Sequence, residues 1–116
     1  MPTISSTIDA PTKPASRSAR RSVGQRAAPR LRRFRQRMDA LDGSLVALLQ
    51  RRSHLSVSIA RIKREAGLPL RAASREDEIL RQVKRAAQDP LTPRSMAHIF
   101  RVILAEMCSA QRRHTR

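Results

Sequence analysis

Several residue types are scarce in this chain of 116 residues, and each scarcity narrows what the chain can be. It has one cysteine, no tryptophan, no tyrosine, two phenylalanines and nine acidic residues against 25 lysines and arginines. A single cysteine excludes a disulfide framework and a cysteine-based zinc cluster. The shortage of acid leaves a formal charge of +16, which makes an anionic partner the first expectation, whether nucleic acid, a membrane surface or a small anion.

The length sets a second bound, because so short a chain has too little interior for a second hydrophobic core or a large catalytic fold. No stretch approaches the roughly 18 consecutive apolar residues of a membrane span, and no secretory signal is evident. We therefore expect one domain, no membrane association and a cytoplasmic location in which Cys108 is reduced.

The positive charge divides between two segments of different composition. Residues 1–33 have a net charge of +7, and residues 34–116 carry the other +9. The first 29 residues are rich in Pro, Ser, Thr, Ala and Arg without an apolar period, so they bury too little surface to offset chain entropy. We expect residues 1–29 to be a disordered basic extension, with a transit peptide as the less favoured alternative, and residues 30–116 to form the folded domain.

From residue 31 onward, apolar residues recur at alternating intervals of three and four as far as Ile62. The pattern ends at Gly67 and Pro69 and predicts one helix of about 34 residues, or roughly 50 Å. Such a helix exceeds the core of a small monomer, which indicates that it packs along a second copy of the chain.

Two shorter helices are expected after the long one. Ser74 with Asp77 three residues later predicts the start of a short helix that stops near Asp89-Pro90. Thr92 as N-cap before Pro93 predicts the start of a third, medium-length helix. No stretch has the alternation of a strand, so the expected fold class is all-α.

Polar side chains interrupt the apolar stripes at a few positions. Arg52 takes a stripe position on the long helix, where a buried guanidinium needs an anionic partner, and Lys63 projects within about 20° of the same direction. Gln111 continues the stripe of the third helix, and Arg75 and Glu76 lie in the first turn of the second. Each has an ordinary explanation, such as a snorkelling side chain, an ion pair or a dipole charge, but together they describe a pocket for a small dianion.

The same residues match the pattern of a known family. The run from Arg35 to Arg52 has the form R-x-x-x-D-x-x-D-x-x-L-x-x-L-L-x-x-R, and it is followed by Lys63, the Arg75-Glu76 pair and Gln111. Over about residues 31–113 the sequence resembles the all-helical AroQ-type chorismate mutases. The resemblance implies an intertwined homodimer of three-helix chains that converts chorismate to prephenate in the shikimate pathway toward aromatic amino acids.

The resemblance also implies residue roles. It assigns catalysis to Arg52, Lys63 and Gln111. The substrate-binding residues that it implies are Arg35, Arg52, Lys63, Arg75, Glu76 and Gln111. Of these, Arg35 is donated to the partner chain's site. No metal or cofactor is expected, because a unimolecular Claisen rearrangement needs orientation and charge stabilisation rather than a nucleophile or base. Ala72 and Met107 depart from the family pattern, in which an Asp and a Ser often contact the substrate.

Four alternatives stay open at this point. An isochorismate–pyruvate lyase and a 4-amino-4-deoxychorismate mutase would use the same fold and the same cations. A regulatory partner of a larger shikimate-pathway enzyme is a third. The fourth is a basic helical protein that binds nucleic acid, which is not favoured because Phe34 and Phe100 lie on apolar stripes and are not free for base stacking.

Overall fold

The computed structural model describes residues 17–115, so the expectation of disorder over residues 1–16 lies outside the described residues. Three helices follow one another: α1 (Arg17–Glu65), α2 (Ala73–Ala86) and α3 (Pro93–His114). Residues 17–115 contain no strand. The all-α class and the order of a long, a short and a medium helix are confirmed.

The described residues divide into two compact units, with the boundary between residues 44 and 45. The described part of the first unit, residues 17–44, consists of α1 alone. In the second unit the remainder of α1 is joined to α3 by a hydrogen bond from Gln111 Nε2 to the Ser56 carbonyl oxygen at 3.0 Å, and α2 packs against α3. The second unit therefore brings all three helices together.

The long helix starts earlier than the apolar period indicated. It begins at Arg17 and has 49 residues, so residues 17–29, which we expected to be disordered, are helical. Arg, Ala and Gln make up much of this segment, and all three have high helix propensity. The helix also continues through Pro29, although proline removes one intrahelical hydrogen bond.

The end of α1 agrees with the expected stop at Gly67. The Leu68 amide donates to the Lys63 carbonyl at 2.8 Å, and the Gly67 amide donates to the Arg64 carbonyl at 3.1 Å. Gly67 has φ of 70°, a left-handed conformation that favours glycine. This is the Schellman arrangement, and it turns the chain sharply from α1 into the connection that leads to α2.

The start of α2 corrects the expectation based on Ser74. The N-cap is Ala72, which makes no side-chain capping hydrogen bond, and its carbonyl accepts from the amides of Arg75 and Glu76 at 3.1 Å. Ser74 therefore lies inside the first turn. The start of α3 is confirmed, because the Thr92 Oγ1 accepts from the Ser95 amide at 3.0 Å and Pro93 is the first helical residue.

Little of this chain is buried when it is taken by itself. Among the described residues the buried apolar side chains are Ala60, Ala97 and Met107. The stripe of α1 is exposed instead, and Leu41, Leu55 and Ile62 are between 62% and 65% accessible. None of the described helices combines the length and apolar character that crossing a membrane requires.

Candidate functional site

The second unit contains a cavity of about 270 Å³ between the C-terminal half of α1, the start of α2 and the last turns of α3. That size suits a ligand somewhat smaller than a drug molecule, for which pockets span roughly 300–1,000 Å³. Five of the six residues in the predicted binding set line it, and the full lining is Arg52, Leu55, Ser56, Ile59, Lys63, Leu70, Ala72, Arg75, Glu76, Ile79, Leu104, Cys108 and Gln111.

Arg52 lines the cavity with a half-buried side chain. Within residues 17–115 its guanidinium has no hydrogen bond and no ion pair. The ordinary explanation, an ion pair within α1, is therefore not what the described chain shows. An unpaired guanidinium offers a planar fork of donors that matches a carboxylate.

Lys63 lies near the end of α1 and is also half-buried. Its Nζ donates to the Leu70 carbonyl oxygen at 3.1 Å, so the connection after α1 fixes the position of the ammonium. An ammonium has three N–H donors, and two remain for a ligand in the cavity. Lys63 is thus a positioned cation rather than a mobile surface lysine.

Gln111 reaches the cavity from α3, and its Nε2 donates to the Ser56 carbonyl at 3.0 Å. A primary amide has two N–H donors and an acceptor oxygen. One N–H is used to join α3 to α1, which leaves one N–H for a ligand. The hydrogen bond to Ser56 therefore holds the amide in place, and its second N–H can still donate to a ligand.

Charged residues at and just before the start of α2 form two ion pairs. Glu76 accepts from Arg71 at 3.2 Å from Nη2 and 3.4 Å from Nε, both to the oxygen Oε1. Arg75, a predicted substrate-binding residue, forms an ion pair with Glu78 at 3.2 Å. The spacing of three residues places Arg75 and Glu78 on the same helix face. Sequence reasoning missed Arg71 because the pairing depends on the conformation of the loop before α2.

Three other positions are compared with the sequence analysis here: two do not line the cavity, and one lines it without having been predicted. Arg35 belongs to the first unit, whereas every lining residue of the cavity belongs to the second. Met107 is buried and lines a different cavity of about 590 Å³. Cys108 lines the candidate site instead, and its place three residues before Gln111 was the signal that could have identified it.

The electrostatic character of the cavity comes from three cations, Arg52, Lys63 and Arg75, and a single carboxylate, Glu76. The described lining contains no histidine. Among residues 17–115 no group of three or more His, Cys, Asp or Glu side chains is arranged to hold a metal ion. A net positive cavity with fixed donors is suited to a small organic anion with more than one negative group.

Fold and cavity together define a small helical protein whose cavity is complementary to an organic anion. Residues 34–112 match the family model of chorismate mutase type II. The chain belongs to this family, and its membership supports an isomerase activity.

Two comparisons with individual proteins agree with this assignment. A 4-amino-4-deoxychorismate mutase from Streptomyces venezuelae is 35% identical over 82 residues, which cover 70% of this chain and 80% of the relative. The structure of the form II chorismate mutase from Thermus thermophilus matches with a TM-score of 0.72 and 24% identity, covering 75% of this chain and 99% of the other. At that identity the structural likeness shows the fold.

Cys108 offers a direct test of where the site lies, because it is the chain's one cysteine. We expect alkylation by N-ethylmaleimide to lower chorismate mutase activity by about tenfold or more, since the added group fills part of a small cavity. Saturating substrate should slow the loss. The Cys108→Ser variant is the control and should keep its activity in the presence of the reagent. Full activity after stoichiometric labelling would place the site elsewhere.

Proposed function

We propose that this protein catalyses the Claisen rearrangement of chorismate to prephenate in the cavity formed by α1, α2 and α3. The observation that carries the proposal is the unpaired, half-buried Arg52 beside a positioned Lys63 and Gln111. Chorismate has two carboxylates, one on the ring and one on the enolpyruvyl side chain. A cavity with three cations and one carboxylate complements such a dianion.

The reaction is an internal exchange of bonds, in which the ether C–O bond breaks as a C–C bond forms. No atom or proton has to be supplied by the protein. The barrier is lowered by holding the flexible side chain over the ring in the reactive conformer and by stabilising negative charge on the ether oxygen. These tasks need fixed donors, and the hydrogen bonds to Leu70 and Ser56 fix Lys63 and Gln111.

Each cavity residue then has a role in the proposal. Arg52 binds a substrate carboxylate through two N–H donors. Lys63 and Gln111 donate their remaining N–H groups to the ether oxygen, and a donor of this kind contributes on the order of 3 kcal/mol. Glu76 accepts a hydrogen bond from the ring hydroxyl, and Arg75 adds positive potential at the mouth of the cavity.

We further propose that the active form is an intertwined homodimer in which each chain donates Arg35 to the site of its partner. Two observations support this. Leu55 and Ile59 line the cavity but are 65% and 50% accessible in the single chain, so one wall is open. The apolar stripe of α1 is similarly exposed at Phe34 and Met38, and a second copy would cover it, as the 3,4 spacing indicates.

Product analysis tests the proposed reaction. The purified protein is incubated separately with chorismate, isochorismate and 4-amino-4-deoxychorismate, and the products are identified by mass spectrometry. Conversion of chorismate to prephenate is the expected result. Release of salicylate and pyruvate from isochorismate would indicate a lyase on the same fold, and no turnover of chorismate would refute the proposal.

One observation favours a second candidate, a 4-amino-4-deoxychorismate mutase. The Streptomyces venezuelae relative, which is 35% identical over 82 residues, has that name. Preferential turnover of the amino substrate in the same assay would select this candidate.

The neutral side chain of Gln111 predicts a flat pH dependence. Because an amide does not titrate, we expect activity to stay roughly constant between about pH 6 and pH 8. In Gln111→Glu the group donates only when protonated, and its ionised form repels the Ser56 carbonyl. We therefore expect activity at least about tenfold below wild type at pH 8 that recovers as the pH falls. Gln111→Ala is the control and should show no acid recovery, whereas a steep acid optimum in the wild type would contradict the role.

A further inference from the structure

Glu76 lies in the wall between two cavities. It lines the candidate active site, and it also lines a cleft of about 270 Å³ on the other side, together with Arg71 and Arg101. The Glu76 side chain is 22% accessible, whereas that of Arg71 is 77% accessible. Arg71 therefore holds the carboxylate from the solvent side and is absent from the lining of the active-site cavity.

The contact engages only one of the two carboxylate oxygens. Both Arg71 donors, Nη2 at 3.2 Å and Nε at 3.4 Å, go to Oε1, and within the described chain Oε2 has no hydrogen bond. A carboxylate held through one oxygen keeps the acceptor capacity of the other. Glu76 is thus positioned by Arg71 and still able to accept one hydrogen bond from a ligand.

The ion pair between Arg71 and Glu76 also changes the net charge at this end of the cavity. Glu76 is the single carboxylate in the cavity lining, and Ala72 at the N-cap adds none. The positive charge of Arg71 offsets the negative charge of Glu76, and Arg75 also lines this end of the cavity. A hydroxyl needs only an acceptor at this point, whereas a protonated amine needs uncompensated negative charge.

We infer that Arg71 is a specificity-determining residue, which acts through Glu76 to favour a ring hydroxyl over a ring ammonium on the substrate. The inference rests on the proposed function and narrows its substrate class to the hydroxyl-bearing compound. An amine on a saturated ring carbon is largely protonated near neutral pH, so 4-amino-4-deoxychorismate presents a cation where chorismate presents a neutral donor. Arg71 is a positioning residue, since it touches Glu76 and not the reacting atoms.

The experiment compares the two substrates on one set of variants. The measured quantity is the ratio of kcat/KM for chorismate to kcat/KM for 4-amino-4-deoxychorismate in wild type, Arg71→Ala and Arg71→Gln. Because Arg71 is exposed and solvent screens its charge, we expect the ratio to fall by about two- to fivefold when that charge is removed. If turnover of the amino compound is too slow, its inhibition constant against chorismate replaces the second kcat/KM.

Arg81→Ala is the matched control, since Arg81 is an exposed arginine of α2 that lines neither cavity. It should leave the ratio unchanged. A merely structural role for Arg71 would lower both kcat/KM values equally, so an unchanged ratio in Arg71→Ala and Arg71→Gln overturns the inference. So does a wild-type preference for the amino substrate. If the wild type turns over neither substrate, it is the proposed function that fails.

Discussion

Replacing Arg52 with alanine is expected to lower kcat/KM for chorismate by roughly 10²–10³-fold. The guanidinium is half-buried, lines the cavity and has no partner among the described residues, so its proposed partner is a substrate carboxylate. Truncating one member of a desolvated charge pair costs about 2–5 kcal/mol, which corresponds to such a loss. Steady-state kinetics on the purified variant measure the effect.

Two further variants test whether the loss of activity in Arg52→Ala is specific to the guanidinium at this position. Arg52→Lys keeps the charge but loses the planar pair of donors, and we expect an intermediate loss of about 10- to 100-fold. Arg51→Ala removes the neighbouring arginine, which is exposed and does not line the cavity, and it should retain nearly full activity. Equal activity in Arg51→Ala and Arg52→Ala would remove Arg52 from the proposed site. Circular dichroism on each variant separates loss of function from loss of helix.

Mixing two inactive variants is expected to restore activity if Arg35 serves the partner's site. In a mixed dimer of Arg35→Ala and Arg52→Ala chains, one site has both arginines intact and the other has neither. Random pairing makes about half of the dimers mixed, so activity should reach about one quarter of the wild-type value per chain. The two variants are refolded together from denaturant, and activity is compared with each variant refolded alone.

The controls for the mixing experiment use chains that cannot complement. Arg52→Ala and Lys63→Ala each remove a cation from the chain's own cavity. Each site in their mixed dimer therefore lacks one cation. Their mixture should stay inactive. Arg33→Ala, a neighbouring exposed arginine, should be active without mixing. An Arg35→Ala chain with full activity, or a mixture that gains nothing over its components, would refute a donated Arg35.

The helices and their ends were predictable from the sequence wherever a local pattern determines where a helix forms, starts or stops. The 3,4 apolar period identified α1, the Gly67 stop needs only the left-handed conformation that glycine tolerates, and Thr92 before Pro93 marked the start of α3. Local signals misled at Ser74, where Ala72 provides the N-cap position without a side-chain hydrogen bond. They also misled at Arg17, where helix propensity extends α1 beyond the apolar period.

Five residues that line the candidate cavity were predictable from the sequence, but their pairings were not. Angular position on one helix placed Arg52 and Lys63 together, and the cavity contains both. The pairing of Arg71 with Glu76 depends on the path of the loop before α2, which no period encodes. The choice between Met107 and Cys108 depends on how α3 is rotated against α1, since both residues lie within about one turn of Gln111.

The turn after α1 restricts how this chain can vary in evolution. Segments between helices ordinarily tolerate insertions and deletions, but here Lys63 is bonded to the segment twice, through its carbonyl to the Leu68 amide and through its Nζ to the Leu70 carbonyl. We expect a change in segment length to disrupt the hydrogen bond from Lys63 Nζ to the Leu70 carbonyl, which fixes the ammonium at the cavity. The connection is therefore a part of the chain whose length, and not only its composition, is expected to be under selection.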